Sequence, residues 1–109
     1  MTLNLFTRAE RVITIWDRHF QRKTPSDILR ILNRARMDGI WADGENDPVC
    51  AFFEGLIARE VRQSGRFVVV PAPYGVYLKD RAAGKVKWLQ LGRWWTQILE
   101  FYDLLGSKS

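Results

Sequence analysis

Arg66-Phe-Val-Val-Val-Pro-Ala-Pro-Tyr-Gly-Val-Tyr-Leu-Lys79 is the stretch whose reading decides the fold. Two short runs rich in β-branched and aromatic residues flank Pro71-Ala72-Pro73-Tyr74, a spacing that predicts two strands folded into a tight hairpin. Downstream, Asp80-Arg-Ala-Ala-Gly84 reads as a glycine-containing loop, and Lys85-Val-Lys-Trp-Leu89 alternates with period two. A third strand folding back on residues 75–79 is expected there, with Lys85 and Lys87 projecting together from one side.

Upstream of the hairpin the pattern is helical. Thr7 with Glu10 three residues on has the form of a capping box, and Ala9, Val12, Ile13, Trp16 and Phe20 recur at helical spacing behind it. Arg8, Arg11, Asp17 and Arg18 are left for the other side. A second helix opens on Thr24 as cap, Pro25 in the first turn and Asp27 at the positive dipole end, with Ile28, Ile31, Leu32 and Ala35 as its inner stripe. Two glycines break the pattern between Met37 and Asn46, predicting a turn that tucks Ile40 and Trp41 into the core. Asp47 and Pro48 then open a third helix, which Gly65 is expected to close in the left-handed conformation. Val49, Phe52, Phe53, Leu56, Ile57 and Val61 form its inner face. Its outer face carries Cys50, Ala51, Glu54, Gly55, Ala58, Arg59, Arg62 and Gln63. That mixture of small and basic residues fits two roles, close approach to a nucleic acid or close packing of another part of the same chain.

The last segment places Leu91, Trp94, Trp95, Ile98, Leu99, Tyr102 and Leu105 on one stripe ended by Gly106, before a Ser-Lys-Ser tail. A fourth helix is expected, with surplus aromatic surface for a homodimer through Trp94, Trp95, Ile98, Leu99 and Tyr102. The competing expectation is that this helix packs back on the first one as core. Trp16 and Trp41 also lie on or beside apolar stripes and are expected to pack in the core or an interface, so only Trp88, near Lys87 and Gln90, keeps a claim to stack on a base.

With 109 residues, 47% of them hydrophobic, the chain has enough apolar material for one core, and a single domain is expected. The net charge is +5, but Asp38, Asp43, Glu45 and Asp47 cluster in one linker, leaving about +9 on the rest. Such a balance suits a polyanionic partner, nucleic acid above all. A lone cysteine offers no disulfide pair, no export signal is visible at the N-terminus, and no stretch is long and apolar enough to span a membrane. These features point to a reducing cytoplasm.

Chemistry is harder to find. His19 is the only histidine and Cys50 the only cysteine, too few for a Cys/His metal site, and Cys50 reads as a small packing residue rather than a nucleophile paired with His19. The segment Asp43-Gly-Glu-Asn-Asp47 lacks the ligand pattern of a calcium loop, and no glycine-rich phosphate loop occurs. No enzyme activity, cofactor or metal is therefore expected.

Three helices followed by a hairpin is the order of a winged helix, here an α+β fold extended by an aromatic C-terminal helix. From about Arg11 to Lys79 the chain resembles the HARE-HTH winged-helix family and its relative, the N-terminal domain of the bacterial RNA polymerase delta subunit. The resemblance is carried by Arg18-His-Phe-Gln-Arg-Lys-Thr-Pro25, Asp27-Ile-Leu-Arg-Ile-Leu32, the Gly39-Ile-Trp41 turn, Ile57-Ala-Arg-Glu-Val-Arg-Gln-Ser-Gly65 and the hairpin. It implies a module of transcription, chromatin or restriction systems. Two features depart from the pattern: a loop between the first two strands too short for a deep wing, and the aromatic last helix.

The expected function is that of a small DNA-binding winged-helix protein, a transcriptional or mobile-element regulator acting on double-stranded DNA. Arg59, Arg62, Gln63 and Arg66 would meet backbone or base edges, and Lys79, Arg81, Lys85 and Lys87 would grip phosphates. The alternative is an adaptor without direct DNA recognition, docking on RNA polymerase or another large assembly through its last helix.

Overall fold

In the computed structural model, residues 4–42 and 47–106 are described, with side chains through Phe101. The architecture is α+β, with four helices and a three-stranded antiparallel sheet. Helix α1 spans Leu5–Phe20, α2 Pro25–Met37 and α3 Pro48–Val61. Strands β1 (Phe67–Ala72), β2 (Gly75–Asp80) and β3 (Lys85–Gln90) pair in chain order, and α4 runs from Arg93 to Gly106.

Two of the expected caps form as read. The Thr24 side chain accepts from the Asp27 amide, and the Asp47 carboxylate accepts from Val49 and Cys50. The first does not. Asn4 caps α1, its side-chain oxygen accepting from the Thr7 amide at 2.7 Å, so the helix begins before Thr7 and the Thr7/Glu10 capping box is absent. The extra turn buries Phe6 one turn before Ala9 and Ile13, on the same stripe. Helix α2 ends in a Schellman arrangement: the Ile40 amide donates to the Ala35 carbonyl and the Gly39 amide to that of Arg36, with Gly39 at φ +74°. The turn delivers Ile40 and Trp41, half-buried, against the core, while Arg36 stands over the Trp41 ring at 5.5 Å. Helix α3 stops earlier than expected. Arg62, at φ 58°, takes the left-handed closing position expected of Gly65, although Gly65 is also left-handed at φ +81°.

Register follows from the turns. Ala72 pairs with Gly75 across Pro73-Tyr74, and Asp80 pairs with Lys85 across Arg81–Gly84. One face of the sheet, carrying Phe67, Val69, Val76 and Leu78, closes on a core that also takes Ile13, Phe20, Ile28, Leu32, Phe52, Phe53 and Ile57 from the first three helices. The outward-pointing amide of Val69 on the edge strand is satisfied by the Glu54 carboxylate of α3 at 3.1 Å.

Helix α4 completes that core. Trp95 and Ile98 are fully buried, Trp94 is 3% exposed, and Leu99 packs half-buried against the same cluster. This corrects the expected dimer surface at three of its residues: Trp94, Trp95 and Ile98 lie inside the chain. The side chains of Tyr102 and Leu105 lie outside the described residues, as do residues 43–46 and the 107–109 tail. Asp17, expected on the solvent side, ties the helix down. Its Oδ1 accepts from the Gly92 amide at 2.8 Å and from Trp94 Nε1 at 2.6 Å, while Trp95 Nε1 donates to the Ala72 carbonyl at 2.8 Å. No helix among the described residues is long and apolar enough to cross a membrane.

Candidate nucleic-acid interface

The small residues of α3 settle first, because they decide what that helix can offer. Cys50 and Ala51 are buried, as is Gly55, where an added Cβ would strike the carbonyl of Ile40 and approach Trp41 Cα to 3.3 Å. Close packing of the 39–42 turn therefore explains Gly55, the Ala42 amide donates to the Ala51 carbonyl at 3.1 Å, and Cys50 belongs to the core. At the C-terminal end of the helix charge faces outward, through exposed Arg59, Glu60 and Arg62, and the exposed amide of Gln63 follows.

That end is an organised corner. Asp80, 3% exposed, accepts two hydrogen bonds from Arg66, Nε at 3.0 Å and Nη2 at 3.1 Å, and its Oδ1 also accepts from the amides of Ala82 and Ala83. Arg66 holds the Asp80 carboxyl below the usual carboxylate range. Burial pushes the other way, and the Ala83 and Ala82 amides reinforce the lowering. The guanidinium also reaches Gln63 Oε1 at 3.4 Å, and the Arg81 amide donates to the Arg66 carbonyl at 2.9 Å. The exit of α3, the start of β1 and the β2–β3 loop are thus fastened together, with Arg59, Arg62, Gln63 and Arg81 exposed around them. Beside them, a cleft of about 340 Å³ runs between the 39–42 turn and α3, lined by Trp41, Glu54, Arg59 and Gln63 among others.

The remaining expected contacts divide. Arg66 does not stand free for phosphate, because its fork is engaged by Asp80. Lys85 and Lys87 do share a face of β3, but it is the face turned toward α1. Lys87 Nζ lies 2.6 Å from Glu10 Oε1, and Lys85 Nζ sits 4.4 Å from the Phe6 ring centroid. Neither points away from the protein with Lys79, which is exposed on the opposite side of the sheet. Of the expected nucleic-acid contacts, Gln63 is tied to Arg66 by its side chain and Arg81 by its backbone amide, Arg62 is exposed at the end of α3, and Arg59, one turn earlier, reaches the Gly39 carbonyl with Nη2 at 3.5 Å, while the lysines lie elsewhere. The adaptor surface on α4 is reduced in the same way, since Trp94, Trp95 and Ile98 are core residues.

Among the described residues, three carboxylates near this corner have partners within the chain: Asp80 in Arg66, Glu60 in Arg8 at 3.3 Å, and Glu54 in the Val69 amide. Glu54 keeps its negative charge, but Arg59, Arg62 and Arg81 outnumber it, so the described side chains of the corner carry a positive excess. Among the described residues no cluster of three or more His, Cys, Asp or Glu side chains could hold a metal ion. Cys50 is buried in the core while His19 is exposed beside Trp16. Comparison of the chain with family models, curated proteins and solved structures finds no match.

Proposed function

We propose that this chain is a winged-helix DNA-binding domain that grips duplex DNA with the corner formed by the end of α3 and the β2–β3 loop. The observation that carries the proposal is the exposure of Arg59 and Arg62 on the end of α3 and of Arg81 on the loop, two segments joined through the part-buried Arg66–Asp80 pair. Exposed guanidinium groups on a fixed backbone suit phosphate oxygens, and Gln63 beside them can reach a base edge. Three helices leading into a hairpin, and the resemblance to the HARE-HTH family, support the winged-helix part of the reading. The projecting loop in this chain is Arg81–Gly84 rather than Pro73-Tyr74. The Tyr74 carbonyl accepts from the Leu91 amide and that of Ala72 from Trp95, so the β1–β2 turn is held against the base of α4. A role as a transcriptional or mobile-element regulator fits such a module.

Fluorescence anisotropy with a labelled duplex tests the proposal. If roughly four phosphates are neutralised, the log-log salt slope is near −4. Arg59→Ala with Arg62→Ala weakens binding far more than Arg11→Ala with Arg18→Ala, although both pairs remove the same charge. No duplex binding at low salt, or equal losses from the two pairs, removes the proposal.

A further inference from the structure

The solvent face of the sheet is unlike that corner. Cross-strand pairing aligns Val70, Tyr77 and Trp88 in one row and Val68, Lys79 and Val86 in the next. Tyr77 and Trp88 are 42% and 41% exposed, and their ring centroids lie 5.1 Å apart. Gly75 is required first by the neighbouring strand, since a Cβ there would strike the Leu89 carbonyl, and it also lies against the indole, the added atom standing 3.0 Å from Trp88 Cη2. Gln90, opposite Gly75, supplies an exposed amide next to the rings, and none of these paired positions is acidic.

We infer that this face binds single-stranded nucleic acid, with unpaired bases stacked on Tyr77 and Trp88 and the adjoining phosphate paired with Lys79. Exposed rings on an antiparallel sheet offer π-faces to any base, and stacking is tolerant of sequence. Lys79 decides between a strand of nucleic acid and an apolar protein partner. It stands on the central strand between Val68 and Val86, so a flat protein surface would have to desolvate its ammonium in the middle of the contact, where interfaces are depleted of charge. A phosphate satisfies it instead. Two residues along β2 place Lys79 roughly 7 Å from Tyr77, close enough for one nucleotide to touch both. This surface is separate from the corner proposed for duplex DNA, and each can fail without the other.

The test uses the whole chain with a labelled oligothymidylate, which forms no duplex with itself. Binding is expected to quench tryptophan emission through Trp88. Tyr77→Ala with Trp88→Ala should weaken it by about five-fold or more per ring, while Trp88→Phe, which keeps a stacking face, retains most of the affinity. Lys79→Ala should lower the salt dependence. Arg59→Ala with Arg62→Ala should weaken duplex binding and spare the oligothymidylate. The inference is overturned if the parent chain does not bind the oligothymidylate, or if the Tyr77/Trp88 double variant binds it as tightly as the parent. Light scattering that shows a parent dimer dissociated by the double variant would overturn it equally, because the face would then belong to a second copy.

Discussion

Gly55→Ala isolates the packing that turns α3 from a helix with a smooth outer face into one whose middle is covered. Alanine is the better helix former by about 1 kcal/mol, so in an exposed helix the substitution would stabilise. Here the added methyl would meet backbone rather than a flexible side chain: the Ile40 carbonyl, with its carbon at 2.7 Å, and Trp41 Cα at 3.3 Å. Neither can swing aside, because the Schellman bonds from Ile40 and Gly39 fix the turn to the end of α2. Overpacking of this kind costs about 3 kcal/mol at the upper end of its usual range, which leaves a net loss of about 2 kcal/mol after the propensity gain. For a domain of this size that lowers Tm by on the order of 8 °C. Thermal and urea melts followed by circular dichroism read it directly. A Gly55→Ala variant as stable as the parent would refute the reasoning and return the small residues of α3 to the surface.

Other consequences follow from single contacts. Asp17→Ala leaves the Gly92 amide and Trp94 Nε1 without their acceptor and should cost about 2–4 kcal/mol in urea unfolding, while Asp17→Asn, which keeps an oxygen, costs much less. Arg62→Gly relieves a left-handed φ of 58° and should stabilise the fold by about 1 kcal/mol while weakening duplex binding, so that Tm and anisotropy move in opposite senses. The Asp80 carboxyl titrates lower in the folded chain than unfolded. Its contribution is therefore fully present above the unfolded value, near pH 4, and is lost as pH falls through the folded one. Asp80→Asn should make stability less dependent on pH in that acid range, and an unchanged acid titration would argue against the pair.

The features legible in the sequence are local ones. Thr24 and Asp47 each precede a proline at the first helical position, a combination with one reading, and both caps form. Asn4 and Thr7 are both capping residues, and the Glu10 that completes a box with Thr7 points to the wrong one. Phe6, three residues before Ala9, is the available sign that the helix starts earlier. Period two correctly groups Lys85 with Lys87, but alternation does not say which group faces inward. That depends on register: Lys87 lies opposite buried Leu78, and Glu10 of α1 waits on that side. The stripe of α4 has the same form whether it meets its own core or another chain. The bond that decides it joins Asp17 to Trp94, 77 positions away, beyond the reach of any local pattern.

The same distinction explains why the basic corner is narrower than the charge of the chain suggests. Positive residues occur along most of the sequence, yet where tertiary contacts engage them their charge is neutralised or turned inward: Arg8 on Glu60, Arg66 on Asp80, Lys87 on Glu10. Arg66 matters to the corner through position rather than charge. Its fork draws Asp80 to the start of β1, and Asp80 in turn holds the Ala82 and Ala83 amides, so the loop carrying Arg81 is fixed against the end of α3 before any ligand arrives. A loop already ordered loses little further freedom on binding, which raises affinity without adding a contact. Substituting Arg66 should therefore weaken duplex binding through Arg81, and in an Arg81→Ala background most of that effect should disappear. If the two losses simply add, Arg66 touches the ligand itself and the positioning argument fails.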